Sequence, residues 1–591
     1  MEANPWQAIK KIKLSLLFVG LAVIVYFNAL FNGFVWDDNG YIIANSDLHS
    51  ISFGTIFGNS SINGYGYFYR PINALFLSVF YALFHTQPFF YHFFQISLHV
   101  INSILLYVLF GEFFLGWVAL FLALIFFIHP MQVESVAYIS TLASPLAGFF
   151  GLSSLVLSKK THISPGRLLV INILILFSLL TKEDGVLYLL FLLMFTFLFR
   201  RKHFKRIAIS ASIIFCFYIF VRIITGSIHP VALLTGQQSH TLHSYAPIMR
   251  LSFVQRVINI PAIFFYYLST FVFPYSLSVD QLWIVNTPSL ENFYFPLLIN
   301  VGFFLGVFSF GLLLFRYARQ KFYIFLFFSL WFFAGIGLYM QVIPLDMTVA
   351  DRWFYVPIVG ILGMIGVGVT YVVKYLKLQK FFLITAILVI LCFGVRTIIR
   401  ISDYQNEMIL FSHDIKVRDN YDLEMNLGAD FFDAKDISTA LVHLKKSVAL
   451  FPSNVNLYDL AYVYEQAGDI KHAQKYYEMA LTYPSYAQGG KLHTEETYVN
   501  LARVLLIENK VESAHTIINQ GLAEYPSSFS LQFYLVLIYY KEGENNHAEL
   551  LSTQLYQTTQ NANAFILYNS IKARRKIEIP DGVQKLIIDP K

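Results

Sequence analysis

Two adjacent carboxylates, Asp37 and Asp38, follow the first long apolar run, in the stretch FNGFVWDDNGYI. Charge is costly at membrane depth, so an acidic pair held at the mouth of a span marks a place where proton chemistry could meet a polar acceptor. Four more polar clusters punctuate the apolar runs that follow. They are Tyr69-Arg70-Pro71, His129-Pro130 with Glu134, Lys182-Glu183-Asp184-Gly185, and Asp351-Arg352 with Tyr355 and Pro357. Any one could be a set of capping charges or a pair across a turn. Five at span ends point to a site.

Such a site could move a sugar from a polyprenyl-phosphate donor to an acceptor hydroxyl. A carboxylate would orient or deprotonate the hydroxyl. Cations would hold the departing lipid phosphate, and aromatic spans would line a groove for the lipid chain. Asp37 and Asp38 are the candidate catalytic residues. The candidates for the donor phosphate and substrate are Arg70, His129, Glu134, Lys182, Glu183, Asp351, Arg352 and Tyr355. No Gly-rich nucleotide loop, zinc-type His/Glu spacing or Gly-x-Ser-x-Gly elbow occurs. No residues form a clear metal cage, although Mg2+ or Mn2+ could assist a phosphate leaving group. The two cysteines, Cys216 and Cys392, lie inside apolar runs, which excludes a disulfide framework.

The elements that position these residues are helices of a membrane protein. Of 591 residues, 57% are hydrophobic and 13% charged, about half the charge of a soluble protein. Aromatics reach 18%, with 60 Phe and 38 Tyr, as suits lipid contact and interfacial belts. The composition breaks near Arg400. This divides the chain into a membrane domain (1–400), a connector (401–420), a soluble helical domain (421–570) and a tail (571–591). The net charge of +6 is spread over clusters flanking the spans, so it reads as orientation signal, with no nucleic-acid partner.

Five basic clusters set the topology: Lys10/Lys11/Lys13, Lys159/Lys160/Arg167, Arg200 to Arg206, Arg316/Arg319/Lys321 and Lys374/Lys377/Lys380. With all five on the cytoplasmic side, the polar clusters above share the outer face, as does the loop 226–252. The first run, Leu14 to Leu30, is expected to remain as a signal anchor. Segments 71–86 and 256–273 are expected to lie in the outer interface. About 11 crossings remain, and the chain leaves its last span, about 381–398, on the outside.

After Tyr421 the chain repeats itself every 33–41 residues. The copies read Leu427-Gly428…Ala440…Pro452, Leu460-Ala461…Ala473…Tyr477…Ala480…Pro484, Leu501-Ala502…Ala514…Gly521…Pro526, and a weaker Leu535…Tyr539…Ala548. Small residues where paired helices touch and Pro after the second helix are the tetratricopeptide pattern, and four copies suffice for a stable solenoid. The fold class is therefore all-α: a polytopic helical membrane domain followed by an α-solenoid that would hold a protein partner.

In order, FVWDD, YRP, HPxxVESVAYIS, KE-x-G and ADRWFYVP, followed by the repeats, resemble the integral-membrane GT-C glycosyltransferases related to protein O-mannosyltransferases. They are most similar to the transmembrane-and-tetratricopeptide-repeat O-mannosyltransferases and their bacterial relatives. The resemblance covers essentially the whole chain. It implies a sugar, with mannose the first candidate, on dolichyl- or undecaprenyl-phosphate, and a protein or cell-envelope glycan acceptor on the lumenal or periplasmic side. Asp37 would be the base, Asp38 its acidic neighbour, and Arg352 or Lys182 the phosphate holder. One departure stands out. Relatives continue VESVAYIS with Gly-Arg-x-Asp, whereas this chain places Leu142 and Ser144 where the Arg and Asp belong. Glu134 or Glu183 stands in, or the donor differs, or activity is weakened or lost.

The expectation is a membrane glycosyltransferase whose repeats recruit the acceptor. The alternative is a non-catalytic membrane-anchored scaffold for envelope assembly, which the missing Arg and Asp favour. A transporter would carry paired charges at the midplane. The expected location is a bacterial inner membrane with periplasmic repeats, or the endoplasmic reticulum membrane with lumenal repeats if the source is eukaryotic. The sequon Asn59-Ser60-Ser61 is too common to decide between them.

Overall fold

A computed structural model describes residues 5–58, 68–227, 246–376, 379–483, 493–579 and 586–588. The sequon at 59–61, most of the loop 226–252, Lys377 and Pro484 lie outside these residues. The side chains of the first and last basic clusters, Lys10 to Lys13 and Lys374 to Lys380, are outside the described ones as well.

The chain separates into two compact units, one up to Arg418 and one from Asp419 onward. The described residues of the first are helix and irregular loop. Among the described residues, seven helices are long and apolar enough to cross a bilayer: Leu14–Phe31, Pro88–Phe110, Ile139–Ser158, Arg201–Ile224, Leu290–Tyr317, Arg319–Gly337 and Phe381–Asp403. An eighth span would be the bent pair Gly116–Ile128 and Pro130–Ala137, which kinks by 53°. Pro130 forces that break, because proline supplies no N–H to continue the ladder. The expected count of about 11 is reached only by adding three shorter apolar helices, Pro165–Thr181, Gly185–Phe199 and Pro357–Tyr371. At 1.5 Å per residue, the first two fall short of a hydrocarbon core of about 30 Å. The two segments expected at the interface form the helices Pro71–Phe84 and Phe253–Val272, and neither is among the seven.

Close helix contacts hold the core of this unit. The helices Arg319–Gly337 and Pro357–Leu376 approach so nearly that a Cβ on Gly363 would sit 2.1 Å from the Phe328 ring. Small residues bring helix backbones together in lipid, where no hydrophobic force does so. The region 401–418, expected as a connector, packs as part of this unit. Arg400, on the last span, donates Nη1 to Asp414 Oδ1 at 2.7 Å and Nη2 to Oδ2 at 3.1 Å. Asp414, on the helix Glu407–Val417, also accepts from the Val279 backbone N–H at 2.6 Å. A fork-to-fork buried pair of this kind locks the two helices.

The second unit is the expected solenoid. Its helix pairs are Tyr421–Asp433 with Ile437–Leu450, Asn454–Gln466 with Ile470–Ala480, Glu495–Ile507 with Val511–Glu524, and Phe529–Glu542 with Asn545–Thr559. A final helix, Ala562–Lys572, follows. Ala440, Ala473, Ala514 and Ala548 are fully buried where paired helices meet. Gly428 faces Leu444, whose Cγ a Cβ would meet at 2.7 Å. Asp436, Ser453, Asp469 and Ser528 cap helix starts. The tail adds one short strand pairing to the all-α architecture. Ile577–Ile579 and Leu586–Ile588 pair antiparallel, and their outer residues join the hydrophobic core of the solenoid.

Candidate active site

The Asp pair sits in the turn that follows the first span. Trp36, just before it, adopts a left-handed backbone with φ 51, a conformation that disfavours a bulky side chain. Two contacts hold it there. Its N–H donates to Glu407 Oε1 at 2.7 Å, and its ring stacks on Tyr138 with centroids 6.0 Å apart. Asp38 turns inward and is fully buried. Its Oδ1 accepts from the Ser140 N–H at 2.7 Å and hydroxyl at 2.5 Å, and its Oδ2 from the Val35 N–H at 3.1 Å. Burial pushes the Asp38 carboxyl up to about 7, even though those hydrogen bonds pull it down; the neighbouring Asp37 charge adds to the rise. Asp37 is only half-buried. The Tyr138 hydroxyl lies in the combined field of Asp37, Asp38 and Arg352, which joins the acidic pair to the next cluster.

That cluster is built from the bent pair and the loop before Pro357. Arg352 donates Nη1 to Glu134 Oε1 and its backbone N–H to Oε2 at 2.8 Å. Glu134 is 2% exposed. Asp351 accepts the Tyr266 hydroxyl at 2.6 Å, and Gln281 donates to that same hydroxyl at 2.8 Å. Burial, and then the Glu134 charge, push the Asp351 carboxyl up. The loop that carries Asp351 is organised by Gln341, whose amide donates to the Met347 and Thr348 carbonyls at 2.6 and 3.1 Å.

The remaining candidates form a second half. Arg70 donates Nε to Glu183 Oε2 at 2.9 Å, and its Nη2 lies 2.8 Å from the same oxygen. Burial would raise the Glu183 carboxyl, but the Arg70 charge, with Arg222 beyond it, outweighs burial and holds it below its ordinary value. Lys182 donates to Ser144 Oγ at 2.8 Å and pairs with Asp184 at 3.1 Å. The carboxylate beside Lys182 is therefore Asp184, while Leu142 is buried apolar surface. Tyr339 links the halves: its hydroxyl donates to Asp184 at 3.1 Å, and its ring stacks at 5.0 Å on Trp353, beside the Arg352 guanidinium.

Two candidates are placed differently. His129 is fully buried; its Nδ1 accepts from the Met131 N–H at 3.3 Å, which leaves Nε2 to donate to the Phe271 carbonyl at 2.9 Å. Tyr355 points into the bundle, where its hydroxyl meets Asn102 at 2.9 Å and His99 at 3.2 Å. Both are tied into helix packing. Among the described residues, no three His, Cys, Asp or Glu side chains gather as a metal cage. Both Asp38 oxygens accept from backbone and hydroxyl donors.

Sequence reasoning passes over several members of this constellation. Asp184 is named in its cluster but given no role, Ser140 is a short polar residue within a motif, and Tyr138 and Tyr266 read as aromatic packing. Arg222 ends an apolar run. Gln95, His99 and Asn102 share one face of Pro88–Phe110, and the spacing i, i+4, i+7 is the signal that could have found them. Gln95 donates to the Ser135 and Tyr138 carbonyls, both at 2.8 Å, and so supports the segment that carries Glu134.

No family model matches. The human protein named protein O-mannosyl-transferase TMTC3 is 24% identical over 566 residues, covering 86% of this chain. The mouse protein of the same name is 23% identical over the same share. A Caenorhabditis elegans protein O-mannosyl-transferase is 28% identical over 183 residues, 29% of this chain and 26% of its own. The chain spans 60% of the length of the two mammalian relatives. Among solved structures, YrrB, described as a tetratricopeptide protein with an unusual peptide-binding site, covers 28% of this chain and 82% of its own at 16% identity and a TM-score of 0.24. The chain is thus a membrane protein with a tetratricopeptide-type solenoid, similar along most of its length to proteins named protein O-mannosyl-transferase.

Proposed function

We propose that the chain is a glycosyltransferase that moves a sugar, with mannose the first candidate, from a polyprenyl-phosphate donor to a protein or envelope acceptor. The observation that carries the proposal is the half-buried Asp37, next in the chain to the fully buried Asp38 and in one electrostatic field with Tyr138 and Arg352. Asp38, Glu134 and Asp351 are buried, whereas Asp37 is partly exposed, so Asp37 is the carboxylate of the group that an acceptor can reach.

The acceptor hydroxyl would give its proton to Asp37 as its oxygen bonds to the anomeric carbon. The bond from that carbon to the phosphate oxygen breaks, and the electron pair leaves with the polyprenyl phosphate. Attack opposite the leaving group inverts the anomeric centre, as the resemblance implies. Arg352, Lys182 and Arg70 are the cations available to the phosphate. An apolar cavity of about 860 Å³ lies between helices that include Phe253–Val272, with Leu268, Phe303, Phe325 and Met364 in its lining. It suits a lipid chain, and Tyr266, which holds Asp351, is on the same helix. The acceptor-facing side would be the periplasm or the lumen. The solenoid would hold the acceptor chain in a cavity of about 680 Å³ lined by residues such as Tyr462, Asn500, Phe533 and Ile577.

The test is a panel of labelled polyprenyl-phosphate sugars supplied to membranes containing the full chain. Label reaching protein or glycan with one donor is the expected result. No transfer from any donor would favour the scaffold reading, for which buried Leu142 in place of the expected Arg is the supporting observation.

A further inference from the structure

Charge is distributed unevenly between the two halves of the site. In the acidic half, the Arg352 guanidinium donates to Glu134, Asp351 feels the Glu134 charge, and Asp37 and Asp38 share the field at Tyr138 with Arg352. In the other half the ratio reverses. One carboxylate, Glu183, stands between two guanidiniums: Arg70 at 2.8 Å from Oε2 and Arg222 at 4.0 Å from Oε1. Lys182 and Asp184 beside them pair and cancel. This half therefore carries one net positive charge among its described groups.

Donors are also left over there. Arg222 is two residues from the end of the apolar span Arg201–Ile224, and its side chain is 10% exposed. Its Nη1 donates to the Tyr218 hydroxyl at 2.9 Å, but among the described residues its buried Nε has no hydrogen-bond partner, and Glu183 Oε1 has none either. An arginine retained at membrane depth with an unused donor is costly unless an anion completes it. Arg70 is fixed for such a task, since its guanidinium lies 4.1 Å over the Phe68 ring while Glu183 holds its Nε edge.

We propose that Arg70 and Arg222, held side by side by Glu183, form a two-arginine clamp for phosphate, and that this clamp, not Arg352, grips the phosphate of the lipid donor. The proposal rests on the polyprenyl-phosphate reading above. Two planar forks match the tetrahedral oxygens of a phosphate ester. One negative charge would balance the excess and satisfy Arg222. The division of labour follows: the acidic half takes the acceptor proton, and the basic half stabilises the leaving phosphate. Tyr339 and Trp353 set the spacing between them.

The test is equilibrium binding of farnesyl phosphate, with farnesol as the uncharged control, to the detergent-purified full chain. Losing a charge-assisted contact should weaken farnesyl phosphate by about tenfold or more in Arg222→Gln and in Arg70→Gln. Farnesol binding should be unchanged in both, which also shows that the lipid cavity is folded. Arg222→Lys keeps the charge and should lose less than Arg222→Gln. Arg352→Gln, compared at equal folded amounts, should lose less farnesyl phosphate binding than either Arg222→Gln or Arg70→Gln. Wild-type binding that persists in Arg222→Gln but vanishes in Arg352→Gln would overturn the clamp and leave the donor class standing. A wild type that cannot tell farnesyl phosphate from farnesol would overturn both. Inorganic phosphate competing as well as farnesyl phosphate would assign the clamp to free phosphate and overturn its assignment to the donor.

Discussion

Replacing Asp38 by Asn should change stability in a way that depends steeply on pH. The carboxyl is fully buried, and burial raises it from 3.8 to about 7. The folded state therefore holds this proton more tightly than the unfolded chain. The resulting stabilisation is fully present below the unfolded value and is lost as pH rises through about 7. At about 1.4 kcal/mol per pH unit, the gap sets a ceiling of about 4 kcal/mol, and a loss of about 3 kcal/mol between pH 5 and pH 8. Asn cannot titrate. Its carbonyl can serve Ser140, but its amide would face the Val35 N–H that Asp38 Oδ2 now accepts at 3.1 Å, at a pH-independent cost of about 1–3 kcal/mol. The variant should thus be the less stable protein at pH 5, and at pH 8 it should equal or exceed the wild type. Thermal unfolding of both proteins in the same detergent at the two pH values checks this. A difference that stays constant with pH, or a deficit that grows towards pH 8, would refute a buried, proton-holding Asp38.

Breaking the Glu134–Arg352 pair from either side, with Glu134→Gln or Arg352→Gln, should cost about 3–5 kcal/mol, and the double variant should recover part of that loss; strictly additive losses in thermal unfolding would contradict the pairing. Ser144→Asp should fold, because Lys182 Nζ is already 2.8 Å from Ser144 Oγ, whereas Leu142→Arg should lose several kcal/mol by burying an unpaired charge; the folded yield of each after size-exclusion chromatography reads the outcome. Gly363→Ala should destabilise the bundle by about 1–3 kcal/mol, because its Cβ would fall 2.1 Å from the Phe328 ring; an unchanged unfolding temperature would show that the two helices do not pack so closely.

The parts of this architecture that repeat, or that break a pattern, were readable from the chain. The solenoid announced itself because Ala440, Ala473 and Ala514 recur where only a small side chain fits. The acidic turn and Arg352 stood out as charges that apolar runs do not carry without cause. Pairings were not readable. Arg352 meets Glu134 across 218 residues and Arg70 meets Glu183 across 113, and no local spacing encodes either. Arg222 was hidden because hydropathy averaged over a span absorbs one arginine near its end. Residues 401–418 look like a connector by composition, yet the Asp414 carboxylate finds Arg400 and the Val279 N–H. The number of crossings was the least legible feature, since helices of 15–17 residues satisfy the hydropathy pattern of a span without its length.

The central claim is that Asp37 takes the acceptor proton in sugar transfer. The most direct test is transfer of labelled sugar from the preferred polyprenyl-phosphate donor, comparing the wild type with Asp37→Asn at equal folded amounts and equal farnesyl phosphate binding. The account predicts donor binding retained and transfer reduced by about a hundredfold or more, as expected for loss of a general base. Transfer by Asp37→Asn at the wild-type rate would contradict it.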